Sequence, residues 1–359
     1  MEAWLFDSFG GPENLALREV EDPKADLGSA IVEVTHAGVN PVDRSILSGR
    51  FDWISLPHVP GAEFIGRVTE VPDWAHWLKR GQRVAVMPNL FCGRCYYCVN
   101  GNESSCLQNS RIEKEPYLLA IHRQGGWAEK VVVPLQNIVP LPDSIDSEQA
   151  CTLPVDGLTA WHLTRRVGPK AGETALIMGS TGGIGTFAVQ IVKLHGCVVI
   201  AVVGDDEHSE AMSKLGADHV VNRNKVDVAK RVKELTSGRG VDIVVDPVGA
   251  ATWKTSVASL APMGRYVTCG VLTGASVELS LLSLYSMQHQ IIGSTTGSKK
   301  DLYSVVQLMA QKRINAVVDS VHPFSELRKA FARLGQHGRF GKVILRVSEK
   351  DSNSQVGPA

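Results

Sequence analysis

The sequence predicts an α/β protein in two parts: a partly open β-barrel or sandwich, and a parallel sheet of βαβ units inserted into it. Three observations carry this. The first 150 residues hold short β-type runs separated by Gly and Pro; residues 174–294 alternate apolar strands with helices; and residues 316–347 return to short β runs. Turn signals at short spacing point to a barrel or sandwich, and helix-separated apolar strands point to a parallel sheet buried on both faces. At 359 residues, with 44% hydrophobic and 21% charged side chains, the chain can support more than one core.

Each element has a local reason. Residues 1–9 (MEAWLFDSF) alternate as a strand does, and β-rich runs follow at 30–36 (AIVEVTH), 64–71 (FIGRVTEV), 82–87 (QRVAVM) and 129–133 (EKVVV). Ser147 is placed to cap a helix, and residues 153–167 carry apolar side chains at helical spacing until Gly168-Pro169 stops them. Strands are then expected at 174–178, 198–203, 219–222, 241–245, 265–269 and 290–294. Helices between and after them are expected at 183–194, 207–215, 227–236, 252–260 and 302–312. One more helix is expected at 326–334, within a segment that rejoins the first part. The expected division is residues 1–150, 151–297, 298–347 and a polar, frayed tail at 348–359.

Composition narrows the function. Lys plus Arg and Asp plus Glu both number 37, so nothing drives the chain toward nucleic acid or an anionic membrane. The most apolar window, 174–203, is broken by glycines and by Gln190, Lys193 and His195, which argues against a bilayer span. Residues 1–9 lack a basic stretch ahead of an apolar one, and the expected address is the cytosol.

Two motifs carry chemistry. Cys92, Cys95, Cys98 and Cys106 follow a C-x2-C-x2-C-x7-C pattern, four of the seven cysteines within fifteen residues. Four soft thiolates closing on zinc leave no open coordination position, so this lobe (residues 92–106) predicts one structural zinc. Cys151, Cys197 and Cys269 are expected to be small buried hydrophobes. The second motif runs from Ala175 to Gly185 (ALIMGSTGGIG). There a strand, a Gly-rich turn and a helix N-terminus form an anion site for a dinucleotide pyrophosphate. Its ligands are expected among Ser180, Thr181, Gly182, Gly183, Ile184 and Gly185, with Ser180 in the first slot of an otherwise Gly-based pattern. About 20 residues on, Asp205 and its acidic neighbours favour NAD(H), while His208 and Arg223 could attract the 2′-phosphate of NADP(H).

Together these features resemble the medium-chain dehydrogenase/reductase superfamily over essentially the whole chain. Further matches are residues 37–43 (AGVNPVD), 60–63 (PGAE), 157–161 (GLTAW), 215–218 (LGAD) and 338–345 (GRFGKVIL). The resemblance implies a GroES-like catalytic domain with an inserted Rossmann domain, a doubly wound parallel sheet. It adds Gly270 and Lys342 to the cofactor-binding set. Zinc alcohol dehydrogenases of this superfamily place metal ligands where Asn40, Ala62 and Val155 stand here, so no catalytic zinc is expected. Asn40-Pro-Val-Asp43 resembles the quinone oxidoreductase branch instead.

That resemblance implies hydride transfer from NAD(P)H to a quinone or to an alkene conjugated with a carbonyl. Asn40, Asp43 and Thr159 would line the reaction cleft. Arg50 and Phe51 follow the Ser48-Gly49 turn where related reductases carry a tyrosine, which leaves solvent as proton source. Two alternatives stand beside this reading. One is an alcohol dehydrogenase with a metal site rebuilt from Asp43, His58, Glu63 and Asp156; the other is a crystallin-like nucleotide-binding protein with little catalysis. Trp53, Trp74 and Trp77 are expected in the core. Residues 290–294 are the expected sheet edge of a homodimer, with a tetramer as the further option.

Overall fold

The computed structural model describes residues 1–108 and 117–348, so all of the expected frayed tail except Ser348 lies outside the described residues. The strands are β1 (Glu2–Leu5), β2 (Ala16–Glu19), β3 (Ser29–Val39), β4 (Phe64–Glu70), β5 (Arg83–Val86), β6 (Lys130–Pro134), β7 (Ile138–Pro140) and β8 (Thr174–Ile177). They continue with β9 (Val198–Val203), β10 (His219–Asn222), β11 (Val241–Asp246), β12 (Leu260–Thr268), β13 (Gln290–Gly293), β14 (Val318–Pro323) and β15 (Lys342–Arg346). The helices are α1 (Pro41–Leu47), α2 (Tyr96–Val99), α3 (Ser147–Ala150), α4 (Leu158–Val167), α5 (Gly183–Leu194) and α6 (Ser209–Lys214). After them come α7 (Val228–Leu235), α8 (Ala250–Ser259), α9 (Leu281–Ser286), α10 (Lys299–Ala310) and α11 (Leu327–Arg333).

Two main sheets organise these elements. The first runs β14-β15-β3-β4-β5-β7, with β6 also on β3, and its β3 pairs antiparallel with β15, Val39 opposite Val343. β3 is buried along almost its whole length, which explains an apolar run with little alternation. The second sheet is parallel, in the order β10-β9-β8-β11-β12-β13. The order reverses beside β8, the crevice where open α/β sheets bind ligands beyond their strand ends. One core fills the barrel around Phe6, Phe64 and Trp127. A second joins the two sheets, packing Ile65 and Met87 with Phe187, Ile177 and residues of α4 and α10. Among the described residues no helix is long and apolar enough to cross a membrane.

Several expectations are corrected. Asp146, not Ser147, caps α3: its carboxylate accepts the Glu148 and Gln149 amides at 3.0 and 3.2 Å. Residues 153–167 are not one regular helix, because Leu153–Gly157 forms a wider π-type turn before α4. Pro154 has no N–H to give, and the Val155 and Asp156 amides donate to Glu63 Oε1 instead, at 2.8 and 3.2 Å. Helix 207–215 divides into a single turn and α6, and Leu260 begins β12 rather than ending α8. Pro41 reads as a breaker in the sequence but opens α1, where its fixed φ suits the first helical position. Trp53, Trp74 and Trp77 are half exposed, with Trp74 Nε1 bonded to the Leu27 carbonyl and Lys299 lying over the Trp77 ring. Cys151 and Cys197 are buried, whereas Cys269 is only partly so.

Candidate functional site

The Gly-rich turn lies between β8 and α5. Gly182 is the N-cap of α5, and the first helical bond runs from the Thr186 amide to the Gly182 carbonyl at 2.9 Å. The Gly183, Ile184 and Gly185 amides thus stand at a helix N-terminus, where N–H groups without helical partners attract an anion. Ser180 does something else. Its hydroxyl is buried and donates to the Val202 carbonyl, so it fastens the turn to β9 rather than facing a ligand.

The C-terminal strand is stitched to this turn. The Gly341 amide donates to the Thr181 carbonyl at 2.8 Å. Gly341 has φ +97°, and a β-carbon there would meet the Val317 carbonyl oxygen at 2.1 Å, so only glycine fits. The same segment brings the Arg339 guanidinium to 3.9 Å from where a β-carbon on Gly182 would stand. Arg339 was not among the residues singled out in the sequence; its signal is its place two residues before the glycine that meets the turn.

At the end of β9, the acidic charge is partly engaged. The Asp205 carboxylate accepts the Glu207 amide at 3.4 Å, and Asp206 is paired with Lys225 and bonded by Asn222 Nδ2 at 2.6 Å. Arg223 reaches over Gly204, its guanidinium 3.2 Å from the place of a β-carbon there. The His208 ring stacks on Phe340 at 5.0 Å and 11°. Gly270 packs against the loop after β11, where a β-carbon would meet the Pro247 carbonyl oxygen at 1.9 Å.

Beside the turn sits a buried polar cluster. The Lys342 ammonium contacts Glu63 Oε2, donates to Asn40 Oδ1 at 2.5 Å, and lies 3.0 Å from Asp156 Oδ2. The last is an ionic contact rather than an aligned hydrogen bond. Asn40 Nδ2 donates to Glu63 Oε2 at 3.0 Å, and the Asn40 and Gly61 amides donate to Asp43 at 2.8 and 3.2 Å. Burial alone would discharge Lys342, but the Asp156 and Glu63 carboxylates outweigh it and hold the ammonium above its ordinary pKa. Burial pushes the Glu63 carboxyl up, with Lys342 pulling it back, and pushes Asp43 up to about 7. The Asp156 carboxylate also lies against α5: a β-carbon on Gly183 would meet Asp156 Oδ2 at 1.8 Å. Thr159, at the start of α4, is buried and its hydroxyl has no hydrogen-bond partner among the described residues. An orphaned hydroxyl of this kind suits a cofactor or substrate polar group.

The structure therefore joins Asn40 and Asp43 with Lys342, and adds Glu63 and Asp156. Lys342 is corrected from the cofactor-binding set: its N–H groups face Glu63, Asn40 and Asp156. His58 is not brought in. Its Nε2 bonds the Ala120 carbonyl at 2.8 Å, beside a cavity of about 760 Å³ lined by Trp53, Tyr117 and His122 and by none of the cluster. A catalytic zinc does not fit these residues. Ala62 and Val155 carry no donor atom, Asn40 Oδ1 accepts from Lys342, and both Glu63 oxygens are engaged.

The four-cysteine lobe does fit a metal. Its sulfur atoms lie within 4.8 Å of one another, with Cys95–Cys98 at 3.5 Å and Cys92–Cys98 and Cys95–Cys106 at 4.0 Å. Thiolates about 2.3 Å from a tetrahedral zinc stand about 3.8 Å apart.

Comparison with known proteins agrees with this anatomy. Residues 26–143 match the alcohol dehydrogenase GroES-like domain, and residues 183–311 match the zinc-binding dehydrogenase family. The chain is 33% identical over 356 residues to an NAD-dependent alcohol dehydrogenase of Sulfolobus acidocaldarius, covering 97% of this chain and 100% of that one. It is 29% identical to an acryloyl-coenzyme A reductase of Metallosphaera sedula, covering 94% and 97%. The cobalt- and zinc-bound thermostable alcohol dehydrogenase of Pyrobaculum aerophilum superposes with a TM-score of 0.86 at 36% identity, covering 97% and 99%. The chain is an oxidoreductase of the medium-chain dehydrogenase/reductase superfamily.

Proposed function

We propose that this oxidoreductase transfers hydride from NAD(P)H to a carbon–carbon double bond conjugated with a carbonyl, in an enone, a quinone or an enoyl thioester. The observation that carries the reading is the donor set at positions 40, 62 and 155, which offers no open metal ligand. Oxidising an alcohol needs its alkoxide stabilised, a task suited to a Lewis acid. A conjugated alkene needs less: hydrogen-bond donors can hold the enolate. The similar acryloyl-coenzyme A reductase bears a name of this class.

The dinucleotide supplies hydride to the β-carbon, and water returns a proton to the α-carbon. The chain orients the partners. Asn40 has its amide oxygen held by Lys342 and one N–H hydrogen held by Glu63, which leaves the second hydrogen for a substrate carbonyl. Thr159 offers its unpartnered hydroxyl to the nicotinamide side of the cleft. The α5 N-terminus and Arg339 take the pyrophosphate. The sequence favours NAD(H), but with Asp206 neutralised by Lys225 and Arg223 free of acidic partners among the described residues, either dinucleotide is accommodated.

Three accompanying features belong to the proposal. The four-cysteine lobe holds one structural zinc. A homodimer forms along β13, an edge strand whose Ile291 is 40% exposed beside the exposed Leu281, Leu282 and Tyr285. The site of action is the cytosol, where seven unbridged cysteines stay reduced.

The test is a substrate panel. Purified protein with NADH or NADPH should turn over crotonyl thioesters, enones or quinones at least about a hundredfold faster, in kcat/KM, than it oxidises primary and secondary alcohols, a transition-state difference of roughly 2.7 kcal/mol. Faster alcohol oxidation would overturn the reading.

A further inference from the structure

We propose that the Lys342 ammonium is a tethered replacement for a divalent cation, and that removing it uncovers a metal site. The argument is positional. Zinc-type relatives place ligands where Asn40, Ala62 and Val155 stand. Lys342 Nζ touches the side chain at the first of these positions and those immediately following the other two, Glu63 and Asp156. Its carbon stem is packed in as well: a β-carbon on Gly38 would meet Lys342 Cε at 2.7 Å and Glu63 Oε2 at 2.5 Å.

The electrostatics follow from burial. Glu63 is fully buried and the Asp156 side chain is 7% exposed, so two carboxylates this close need a positive charge between them. In this chain the charge arrives on β15, with the fold, and cannot leave. Without it, two hard carboxylates and the Asn40 amide oxygen remain around the space, a donor set suited to an oxygen-liking divalent ion or to zinc. The difference from the metal-dependent relatives is then a single side chain that carries its own cation.

The test uses the full chain and counts ions, so it is independent of substrate. Wild type, K342A and K342R are loaded with Zn²⁺ or Co²⁺, freed of excess ion, and read by elemental analysis and visible absorption. Wild type and K342R should hold one ion per chain, thiolate-bound, while K342A holds two. The second cobalt should add weak oxygen-ligand bands, and the cation should raise the melting temperature of K342A but not of wild type. A second ion in wild type, or one ion in K342A, overturns the proposal. If K342A folds only when the cation is supplied, the proposal is supported. If it does not fold at all, K342A/D156N decides: two ions support and one overturns. One ion in wild type without enone turnover would sink the reductase reading and leave this inference standing.

Discussion

The Ser180 hydroxyl donates to the carbonyl of Val202 at 2.6 Å, which ties the turn before α5 to the neighbouring strand β9. The bond gives this serine a structural role inside a phosphate-binding pattern. Ser180→Ala should cost about 1 kcal/mol of stability, since it orphans a buried acceptor. Dinucleotide affinity should change by less than about threefold, because the amides of α5 remain in place. Thermal melts and isothermal titration check both; an affinity loss beyond tenfold would place Ser180 among the ligands.

Gly183→Ala is expected to be severe. Its β-carbon would stand 1.8 Å from Asp156 Oδ2, so either α5 shifts or the carboxylate swings away from Lys342. Breaking a buried ion pair costs about 3–5 kcal/mol. The stability loss should approach that range in urea unfolding, and dinucleotide affinity should fall at least about tenfold, or 1.4 kcal/mol.

Cys98→Ser removes a buried sulfur from the four-cysteine lobe. Elemental analysis should show zinc falling from one ion per chain to a small fraction, with a lower melting temperature. The lobe supplies no residue to the Gly-rich turn or the Lys342 cluster. Dinucleotide affinity should therefore stay within about threefold of wild type. A tenfold loss would show coupling between the lobe and the cleft.

Asp43 carries a pH signature. Its carboxyl ionises near 7 in the folded chain against an ordinary 3.8, because burial penalises the charge. Between those values the folded state binds more protons than the unfolded one, so this group's contribution is full below about pH 4 and declines as pH rises toward 7. Asp43→Asn should flatten that part of the stability profile, and denaturant titrations at pH 4.5, 6 and 7.5 would show it. An unchanged slope would mean that Asp43 ionises normally.

The features legible in the sequence are those whose signal is local. The cysteine lobe spans fifteen residues and the Gly-rich turn eleven, so spacing alone identifies them. The parallel sheet is legible because each βαβ unit repeats the same alternation. The cluster is not, since Asn40 and Lys342 are 302 positions apart and meet only because β15 pairs with β3. Lys342 seen alone reads as a phosphate ligand; its carboxylate neighbours come from a loop before β4 and from the π-type turn before α4. That turn in turn escapes periodicity because Glu63, from a distant segment, satisfies its amides. Arg339 needed the pairing of Gly341 with Thr181 to be seen beside the turn.

The pairing of β3 with β15 also sets an order of events on the ribosome. The parallel sheet is contiguous in sequence and can close as soon as residue 293 has emerged. The barrel cannot, because its central strand waits for a partner some three hundred residues downstream. During synthesis the first-made half is thus the last to finish, and an apolar strand stays uncovered for most of translation. A nascent chain stalled after residue 330 should hold a folded nucleotide-binding unit and a barrel that still recruits chaperones.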